Sequence, residues 1–441
     1  MKHSFTTLGL LLAVSFIWFS GMIGGISTSA LAATPATVPV TTYLLFSGSE
    51  LRHPFPQHVQ YAPDTIRPNH RSQIQQDNDV RAAYDRWKAH YLVTVSGSTP
   101  SGGALYRVSY GSLDPSRTVS EGQGYGMVIV ALMAGHDPDA QSIFDGLWYF
   151  SRNYSSSIDS RLMTWQIPED LASGADSAFD GDADIAYGLL LAYAQWGSHG
   201  NVNYAAAANV VITAIKESTI GPESYLPMLG DWVSSSDEPY NQYTSRSSDF
   251  MPAHFRAFAE FSGDETWMQV VSAVQDAIGS MQSIHSPDTG LLPDFMVPVS
   301  ATDHSLKPAP PHFLEGPHDG DYDYNAGRDP WRIATDALLN NNADSLKQAR
   351  RMADWIVKTS GGNPSAIKSG YTLNGTPTNP DNDFTTFFAA PFGAALMTTP
   401  GHQQFLNDVY DAVVDVQEDY YEDSVTLLCL LLMTGNYWNP N

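Results

Sequence analysis

The sequence predicts an all-α fold in which six helical hairpins close into a ring around a central cleft. Apolar residues recur at helical spacing in most segments, and the row that ends at Trp196 includes Ile185 and Leu189. Short breaks rich in Gly, Asp or Pro join neighbouring segments, as at 135–138 and 262–264. Strand-like alternation is scarce. Since the helices pair without a strict sequence repeat, a closed ring is favoured over an open solenoid.

Twelve segments fit this helical pattern, and they form six pairs. They run over 79–93, 120–134, 138–153, 182–196, 202–218, 247–261, 264–281, 330–340, 343–359, 385–397, 402–416 and 420–433. One helix of each pair then borders the central cleft, and the loops on one face of the ring lead into it.

The residues around Glu121 are unusual for the start of a helix. Ser120 and Gln123 have the spacing of a capping box, which predicts that a helix begins here. Gly122 and Gly124 are poor helix formers, so a ligand or a neighbouring helix is expected to approach the backbone closely. Glu121 would then face a cavity from a helix N-terminus. The alternative is an ordinary acidic residue favoured by the helix dipole.

The start of the chain has the pattern of an export signal. Residues 1–32 hold a basic start, an apolar run over 8–23 and the cleavage pattern Ala30-Leu31-Ala32. An uncleaved N-terminal anchor is the alternative, because the apolar run is long for a signal. Residues 33–77 are interpreted as an extension and linker that packs on the main domain, 78–441. The chain is therefore predicted to be secreted by a bacterium.

Charge and cysteine usage narrow the possible partners. The net charge is −25, which makes nucleic acid and anionic lipid poor partners and suits a neutral or cationic substrate. The alternative is that an acidic surface keeps an exported protein soluble. The single cysteine, Cys429, lies in an apolar segment and is interpreted as a buried small hydrophobe. A monomer without metal or cofactor is expected.

Two further acidic clusters stand out. Asp180, Asp182 and Asp184 alternate with small residues at a predicted helix start, and Asp180 and Asp184 would share one face. A calcium loop is an alternative, but no Glu falls at the twelfth position that an EF-hand needs. Helix capping is another alternative for one of the three. The other cluster comprises Glu315, Asp319, Asp321 and Asp323, and it leads into Tyr324, Asn325 and Arg328.

Aromatic residues beside these acids suit a carbohydrate cleft, because sugar rings present flat C–H faces that stack on aromatic rings. Trp165 and Trp232 are among several aromatics that stand near polar residues. The sequence lacks the H-E-x-x-H zinc motif, the G-x-S-x-G elbow, the P-loop and the dinucleotide fingerprint. These observations favour carbohydrate chemistry.

The chain resembles glycoside hydrolase family 8 over nearly all of residues 33–441. The resemblance rests on Ser120-Glu121-Gly122-Gln123-Gly124-Tyr125-Gly126-Met127, the 180–196 segment, Ser248-Asp249-Phe250-Met251-Pro252, the 328–332 segment and Tyr421-Glu422-Asp423-Ser424. Near Asp180 the chain differs mildly from the family signature, since Phe179 replaces a hydroxyl residue and Gly188 stands where Ser or Ala is usual. The resemblance implies an (α/α)6 toroid with an open catalytic cleft and inversion at the anomeric carbon.

The resemblance also implies roles for individual residues. Glu121 would be the general acid, and Asp180 would contact the sugar ring at the cleavage point. Many members carry an Asp where this chain has Asn325, and a second branch with Asn takes its base from a loop Glu, here Glu315. That branch contains chitosanases and β-1,3-1,4-glucanases. Substrate binding is predicted for Tyr125, Trp165, Asp182, Trp232, Asp249, Tyr324, Asn325 and Arg328.

The predicted function is therefore inverting endo-hydrolysis of β-1,4-linked glucose or glucosamine polymers, with chitosan or mixed-linkage β-glucan as the substrate. A carboxyl acid and a carboxylate base flanking the bond fit this chemistry, and Asp180 close to Glu121 would raise the pKa of the acid. A cellulose-directed endoglucanase is the alternative within the class. A non-catalytic carbohydrate-binding toroid and a polysaccharide lyase are alternatives outside it.

Overall fold

The computed structural model describes residues 51–168, 175–379 and 384–440. These residues belong to one unit, Gly48–Asn441. The predicted signal peptide lies outside the described residues, as does the predicted extension up to residue 50. No described helix is long and apolar enough to cross a bilayer.

Twelve α-helices run through the described part of the chain, which confirms the all-α prediction. They are α1 (Gln73–Tyr91), α2 (Ser120–Leu132), α3 (Ala140–Asn153), α4 (Phe179–Trp196), α5 (Tyr204–Thr219), α6 (Pro252–Ser262), α7 (Thr266–Ile284), α8 (Asp329–Asn340), α9 (Ala343–Ser360), α10 (Thr386–Leu396), α11 (Gln403–Val413) and α12 (Tyr420–Met433).

Two helix starts differ from the prediction by five residues or more, each for a local reason. Helix α1 begins at Gln73, since Ser72 and Gln75 form a capping box that the prediction did not use. The predicted helix 247–261 is divided into a short 3-10 turn and α6, which starts at Pro252. Proline has no N–H to donate, so it starts a helix more readily than it continues one.

The even-numbered helices form the inner ring of a toroid. Each of them packs against the next, from α2 through α4, α6, α8 and α10 to α12, and α12 packs back on α2. The outer helices pack on the inner helices that precede them, and α1 packs on α12. Inner helices such as α10 are buried on all sides, whereas outer helices such as α9 keep one exposed face. This closure confirms the predicted (α/α)6 ring.

Seven short strands line the connections and all pair antiparallel. They are β1 (Leu92–Ser98), β2 (Ala104–Val108), β3 (Thr118–Val119), β4 (Gln166–Ile167), β5 (Ser245–Arg246), β6 (Phe295–Pro298) and β7 (Leu306–Pro308). β1 pairs with β2, β3 with β4, and β5, β6 and β7 form one sheet in that order. In this last sheet Arg246 stands opposite Phe295. The strands hold the loops that lead into the inner helices.

The glycines at the start of α2 bring helices together. A Cβ on Gly124 would lie 2.6 Å from Asp184 Cβ in α4, and one on Gly122 would meet the Tyr420 ring of α12. A neighbouring helix, and not only a ligand, therefore explains these glycines.

The capping box predicted at Ser120 is wrong, although the helix does start there. The residue before the helix is Val119, in an extended conformation, and it makes no side-chain cap. Ser120 is buried beneath Gly181 of α4. The Gln123 side chain donates to the backbone oxygens of Tyr106 and Leu147 instead of capping. Tertiary packing replaces the local cap.

Candidate active site

A cleft of about 380 Å³ opens where the N-termini of the inner helices meet. Among its lining residues are seven that the sequence predicted for the site: Glu121, Trp165, Asp180, Glu315, Tyr324, Asn325 and Arg328. The other lining residues are Tyr110, Arg117, Val119, Ser120, Ala178, Arg246 and Tyr421. Residues far apart in the chain thus share one concave surface, as expected of a small-molecule or polymer site.

Glu121 lies at the floor of the cleft, with its side chain 17% exposed. Its Oε1 accepts a hydrogen bond from the Tyr420 hydroxyl at 2.8 Å, and its Oε2 accepts from Arg328 Nη1 at 2.6 Å. Burial raises the pKa of Glu121 to about 7. The positive charge of Arg328 lowers this pKa, and the negative charge of Asp180 raises it further. The carboxyl group can therefore take up and release a proton within the neutral range.

Arg328 is the shared cation of the floor. It is 1% exposed, and the same Nη1 that holds Glu121 lies 2.8 Å from Asp180 Oδ2. Burial by itself would raise the pKa of Asp180, but Arg328 and Arg246 outweigh it and lower that pKa. One guanidinium next to two carboxyl groups leaves one negative charge in excess. Asp180 keeps its charge, so Glu121 is the group that takes the proton.

Glu315 stands on a loop and is far more open, with 48% of its side chain exposed. Its Oε1 accepts from Arg246 Nη2 at 2.9 Å, and its Oε2 accepts from Asn325 Nδ2 at 2.8 Å. Asp319 supports the loop, because its carboxylate accepts from the backbone N–H groups of residues 314, 315 and 316 at 2.7–3.0 Å. Two donors and access to solvent give a carboxylate that can accept a proton from water.

Four predicted binding residues lie outside the cleft lining. Tyr125 is fully buried under the floor, with its hydroxyl 3.3 Å from Arg328 Nη1. Asp182 is 1% exposed and accepts from the backbone N–H of Met163. Asp249 is fully buried, 4.0 Å from Arg246 Nη1, and burial raises its pKa to about 8. These three support the site from below.

The fourth, Trp232, packs in a small satellite cluster next to the loop that carries Glu315. Its ring meets Tyr240 edge-on at 5.2 Å, and the Tyr240 hydroxyl donates to the backbone oxygen of Phe313. Phe313 lies two residues before Glu315. The structure therefore places Trp232 behind the loop that carries Glu315 rather than on the cleft surface.

In the second acidic cluster Asp180 accepts from the backbone N–H of Gly181 at 2.9 Å, so it satisfies one free N–H in the first turn of α4 in addition to facing the cleft. Asp184 forms buried ion pairs with Arg332 and His254. Asp180 faces the cleft, and Asp182 faces away from it. Within 51–168, 175–379 and 384–440, no three His, Cys, Asp or Glu side chains converge in a way that could hold a metal ion.

Comparison with known proteins identifies this architecture. The family model described as glycosyl hydrolases family 8 matches residues 71–435. The chain belongs to glycoside hydrolase family 8. It is therefore a glycoside hydrolase, and the alternatives of a non-catalytic toroid and a lyase are set aside.

Relatives of this family-8 chain cover most of its length. It is 43% identical over 388 residues to a beta-glucanase of Niallia circulans, which covers 87% of this chain and 91% of that protein. It is 40% identical over 393 residues to an endoglucanase of Bacillus sp. strain KSM-330, and the match covers 88% of this chain and 82% of that protein. The solved apo beta-1,3-1,4-glucanase from Paenibacillus sp. X4 matches with a TM-score of 0.82 and 42% identity, covering 88% of this chain and all of that one.

Several residues of this family-8 cleft were missed by sequence reasoning. Arg246 and Tyr420 contact the two candidate catalytic carboxyl groups directly. Arg117 lies over the rings of Tyr110 and Trp165, at 4.4 and 5.5 Å from their centroids. A lone Arg or Tyr carries no sequence signal of its own. Tyr421, which belongs to the family motif Tyr421-Glu422-Asp423-Ser424, also lines the cleft, and its hydroxyl donates to the backbone oxygen of Tyr324.

Aromatic rings form one wall of the cleft. Tyr324 stacks on Phe387 with centroids 5.6 Å apart, and Phe387 stacks on Tyr421 at 4.5 Å. Tyr324 is 43% exposed, so its outer face is open to the cleft. Such a ring offers a flat apolar surface next to the polar floor.

Proposed function

We propose that the chain is an inverting endo-β-glucanase in which Glu121 is the general acid and Glu315 is the general base. The observation that carries this proposal is the contrast between the two carboxyl groups. Glu121 is enclosed at the floor and has a raised pKa, whereas Glu315 is half exposed and accepts two hydrogen bonds. Opposed environments of this kind assign acid and base roles.

The two carboxyl groups are separate, as an inverting mechanism requires. They do not contact each other, and two groups lie between them. Glu121 contacts Arg328 at 2.6 Å, Arg328 Nη2 donates to Asn325 Oδ1 at 3.1 Å, and Asn325 donates to Glu315 at 2.8 Å. Inverting enzymes need a gap of roughly 6.5–9.5 Å so that a water molecule fits beside the sugar.

The reaction then proceeds in one displacement. Glu121 donates its proton to the glycosidic oxygen as the bond from that oxygen to the anomeric carbon breaks. A water molecule attacks the anomeric carbon from the opposite face, and Glu315 takes its proton. The products are a chain with a new hydroxyl group and a chain with a new α-configured reducing end.

The neighbouring aspartates are poorer candidates for the base. Asp319 is 3% exposed, and both of its oxygens accept backbone hydrogen bonds. Asp321 pairs with His318 at 2.9 Å. Burial raises the pKa of Asp323 to about 6, which would itself suit a base, so the position of Asp323 is what argues against it. None of the three lines the cleft.

The charge of the cleft favours an uncharged glucan over chitosan. The lining holds three carboxyl groups and three guanidinium groups, those of Arg117, Arg246 and Arg328. With Glu121 protonated, the lining is not negative, although the chain carries −25. The preference for a cationic polymer was inferred from the whole chain and does not extend to this surface. We therefore place mixed-linkage β-1,3-1,4-glucan first, in line with the names of its relatives, and chitosan second.

The test measures activity on lichenan, chitosan and carboxymethyl cellulose as the release of reducing ends. Proton NMR then identifies which anomer of the new reducing end forms first. Lichenan should be hydrolysed fastest, and the α-anomer should appear first. Faster hydrolysis of chitosan would contradict the substrate proposal, and an initial β-anomer would contradict inversion.

We also propose that residues 1–32 direct secretion and that the enzyme acts as a monomer. N-terminal sequencing of protein from the culture medium and light scattering in solution test these two points. Protein retained in the cell, or a stable dimer, would contradict them.

A further inference from the structure

Asp294 stands out as a buried carboxylate to which no role has been assigned. It is 4% exposed and lies just before β6, outside the cleft lining. Four N–H donors converge on its two oxygens. Oδ1 accepts from the backbone of Asp323 at 3.0 Å and of Ala326 at 2.7 Å. Oδ2 accepts from the backbone of Asn325 at 3.1 Å and from the Asn325 side chain at 3.2 Å.

The Asn325 carboxamide is thereby fixed in one orientation. Its Nδ2 donates to both Asp294 and Glu315, so both N–H groups point toward carboxylates. Its Oδ1 accepts from Arg328 Nη2 at 3.1 Å. A flipped carboxamide would set its oxygen against two carboxylates and its N–H groups against a guanidinium. Asp294 therefore decides which end of Asn325 meets the base.

We propose that Asp294 is a positioning residue for the base: through the Asn325 carboxamide it aims a hydrogen bond at Glu315 and links Glu315 to Arg328. This proposal rests on the proposed function, since it takes Glu315 as the base. The base sits on an open loop, and an exposed side chain samples several rotamers unless partners hold it. Asn325 and Arg246 supply those partners, and Asp294 holds Asn325 from behind.

The chemistry of Asp294 makes the substitution Asp294→Asn informative. A carboxylate accepts all four hydrogen bonds, but a carboxamide has only one oxygen and presents N–H groups where the other oxygen was. The variant keeps the volume and loses two of the four contacts. Asn325→Ala, in turn, removes only the carboxamide and leaves the backbone contacts of residues 323, 325 and 326 with Asp294.

The experiment is a double-mutant cycle of Asp294→Asn and Asn325→Ala on lichenan. Each single variant should lower kcat by about 10- to 100-fold, the scale of a hydrogen bond to a charged group, with a small change in KM. If Asp294 acts through Asn325, the double variant should be no slower than Asn325→Ala by more than about twofold. The comparison is made near pH 7, since burial raises the pKa of Asp294 to about 7 and the four hydrogen bonds need its ionised form.

The control is Asp137→Asn at the far end of α2. Asp137 is also buried and accepts from Tyr84, Lys88 and a backbone N–H, but it lies in the turn after α2, and the 13 residues of α2 span about 20 Å between it and the cleft. This variant should lower the melting temperature and leave kcat on lichenan unchanged.

Two results would overturn the proposal. Losses in kcat that multiply in the double variant would show that Asp294 acts independently of Asn325. An unchanged kcat in Asp294→Asn, together with a lowered melting temperature, would reduce Asp294 to a structural residue. Failure of the proposed function is separate, since it requires Glu315→Ala itself to remain active.

Discussion

The proposed acid and the proposed base lie in two halves of the cleft that are built in different ways. Glu121 belongs to the inner helix α2, is 17% exposed, and is held by Tyr420 and Arg328 from two other inner-ring segments. Glu315 belongs to a loop, is 48% exposed, and is held by Arg246 and Asn325. The acid needs an enclosed site that favours its neutral form, and the base needs contact with water. The toroid provides both, with a ring of buried inner helices below and more exposed connections above.

The largest expected effect comes from removing the base. Glu315→Ala should lower kcat on lichenan by about 10³–10⁴-fold, because no other carboxylate lines that side of the cleft. Substrate binding should change little. Added azide should restore part of the rate and give an α-glycosyl azide, detectable by mass spectrometry and NMR.

Controls for the base lie in the same loop. Asp321→Ala and Asp323→Ala should keep most of the activity. Asp319→Ala should be slower than either, because it frees three backbone N–H groups around Glu315. An inactive Asp323→Ala enzyme beside an active Glu315→Ala enzyme would move the base to Asp323.

A somewhat smaller effect is expected from the acid. Glu121→Gln should lower kcat on lichenan by about 10²–10³-fold, since the leaving oxygen then departs without a proton. On an aryl cello-oligosaccharide with a nitrophenyl leaving group the loss should be below about tenfold, because that group needs no proton. The Glu315→Ala enzyme should gain nothing from the better leaving group. Equal losses on both substrates would contradict the assignment of Glu121.

The smallest effect is a shift in pH dependence through Asp180. Burial is the main cause of the raised pKa of Glu121, and the negative charge of Asp180 raises it further. Asp180→Asn removes that charge and leaves Arg328 to Glu121 alone, so the pKa of Glu121 should fall. Because the acid must be protonated, the basic limb of kcat/KM should move to lower pH, by about one unit. A basic limb that stays in place would show that Asp180 does not act on the acid.

Local sequence patterns were sufficient to predict the helical framework of the fold. Helical spacing of apolar residues predicted all twelve helices, because each inner and outer helix must bury a face whatever its neighbours are. The two helix starts with the largest errors, at Gln73 and Pro252, are set by the Ser72 cap and by proline. The expectation for Cys429 is also confirmed, since it is buried and free.

Position along a helix explains the mixed result for the second acidic cluster. Two residues correspond to a turn of about 200°, so Asp180 and Asp182 point to opposite sides of α4. Four residues correspond to about one full turn, and Asp184 lies one turn deeper than Asp180, where it pairs with Arg332 and His254. The sequence placed all three acids at one helix start, but depth below the cleft surface separates their roles.

By itself, the sequence determined the ring of helical pairs, the family motifs and the position of Glu121 at the start of an inner helix. Only the tertiary structure decided which groups surround each carboxyl group, since Glu121 meets a residue 207 positions away and Glu315 meets one 69 positions away. The pKa of a carboxyl group depends on burial and on charges within a few ångströms, and folding sets both. That is why Arg246, Asp294 and Tyr420 gave no signal in the sequence, although Arg246 and Tyr420 contact the two proposed catalytic groups and Asp294 contacts Asn325.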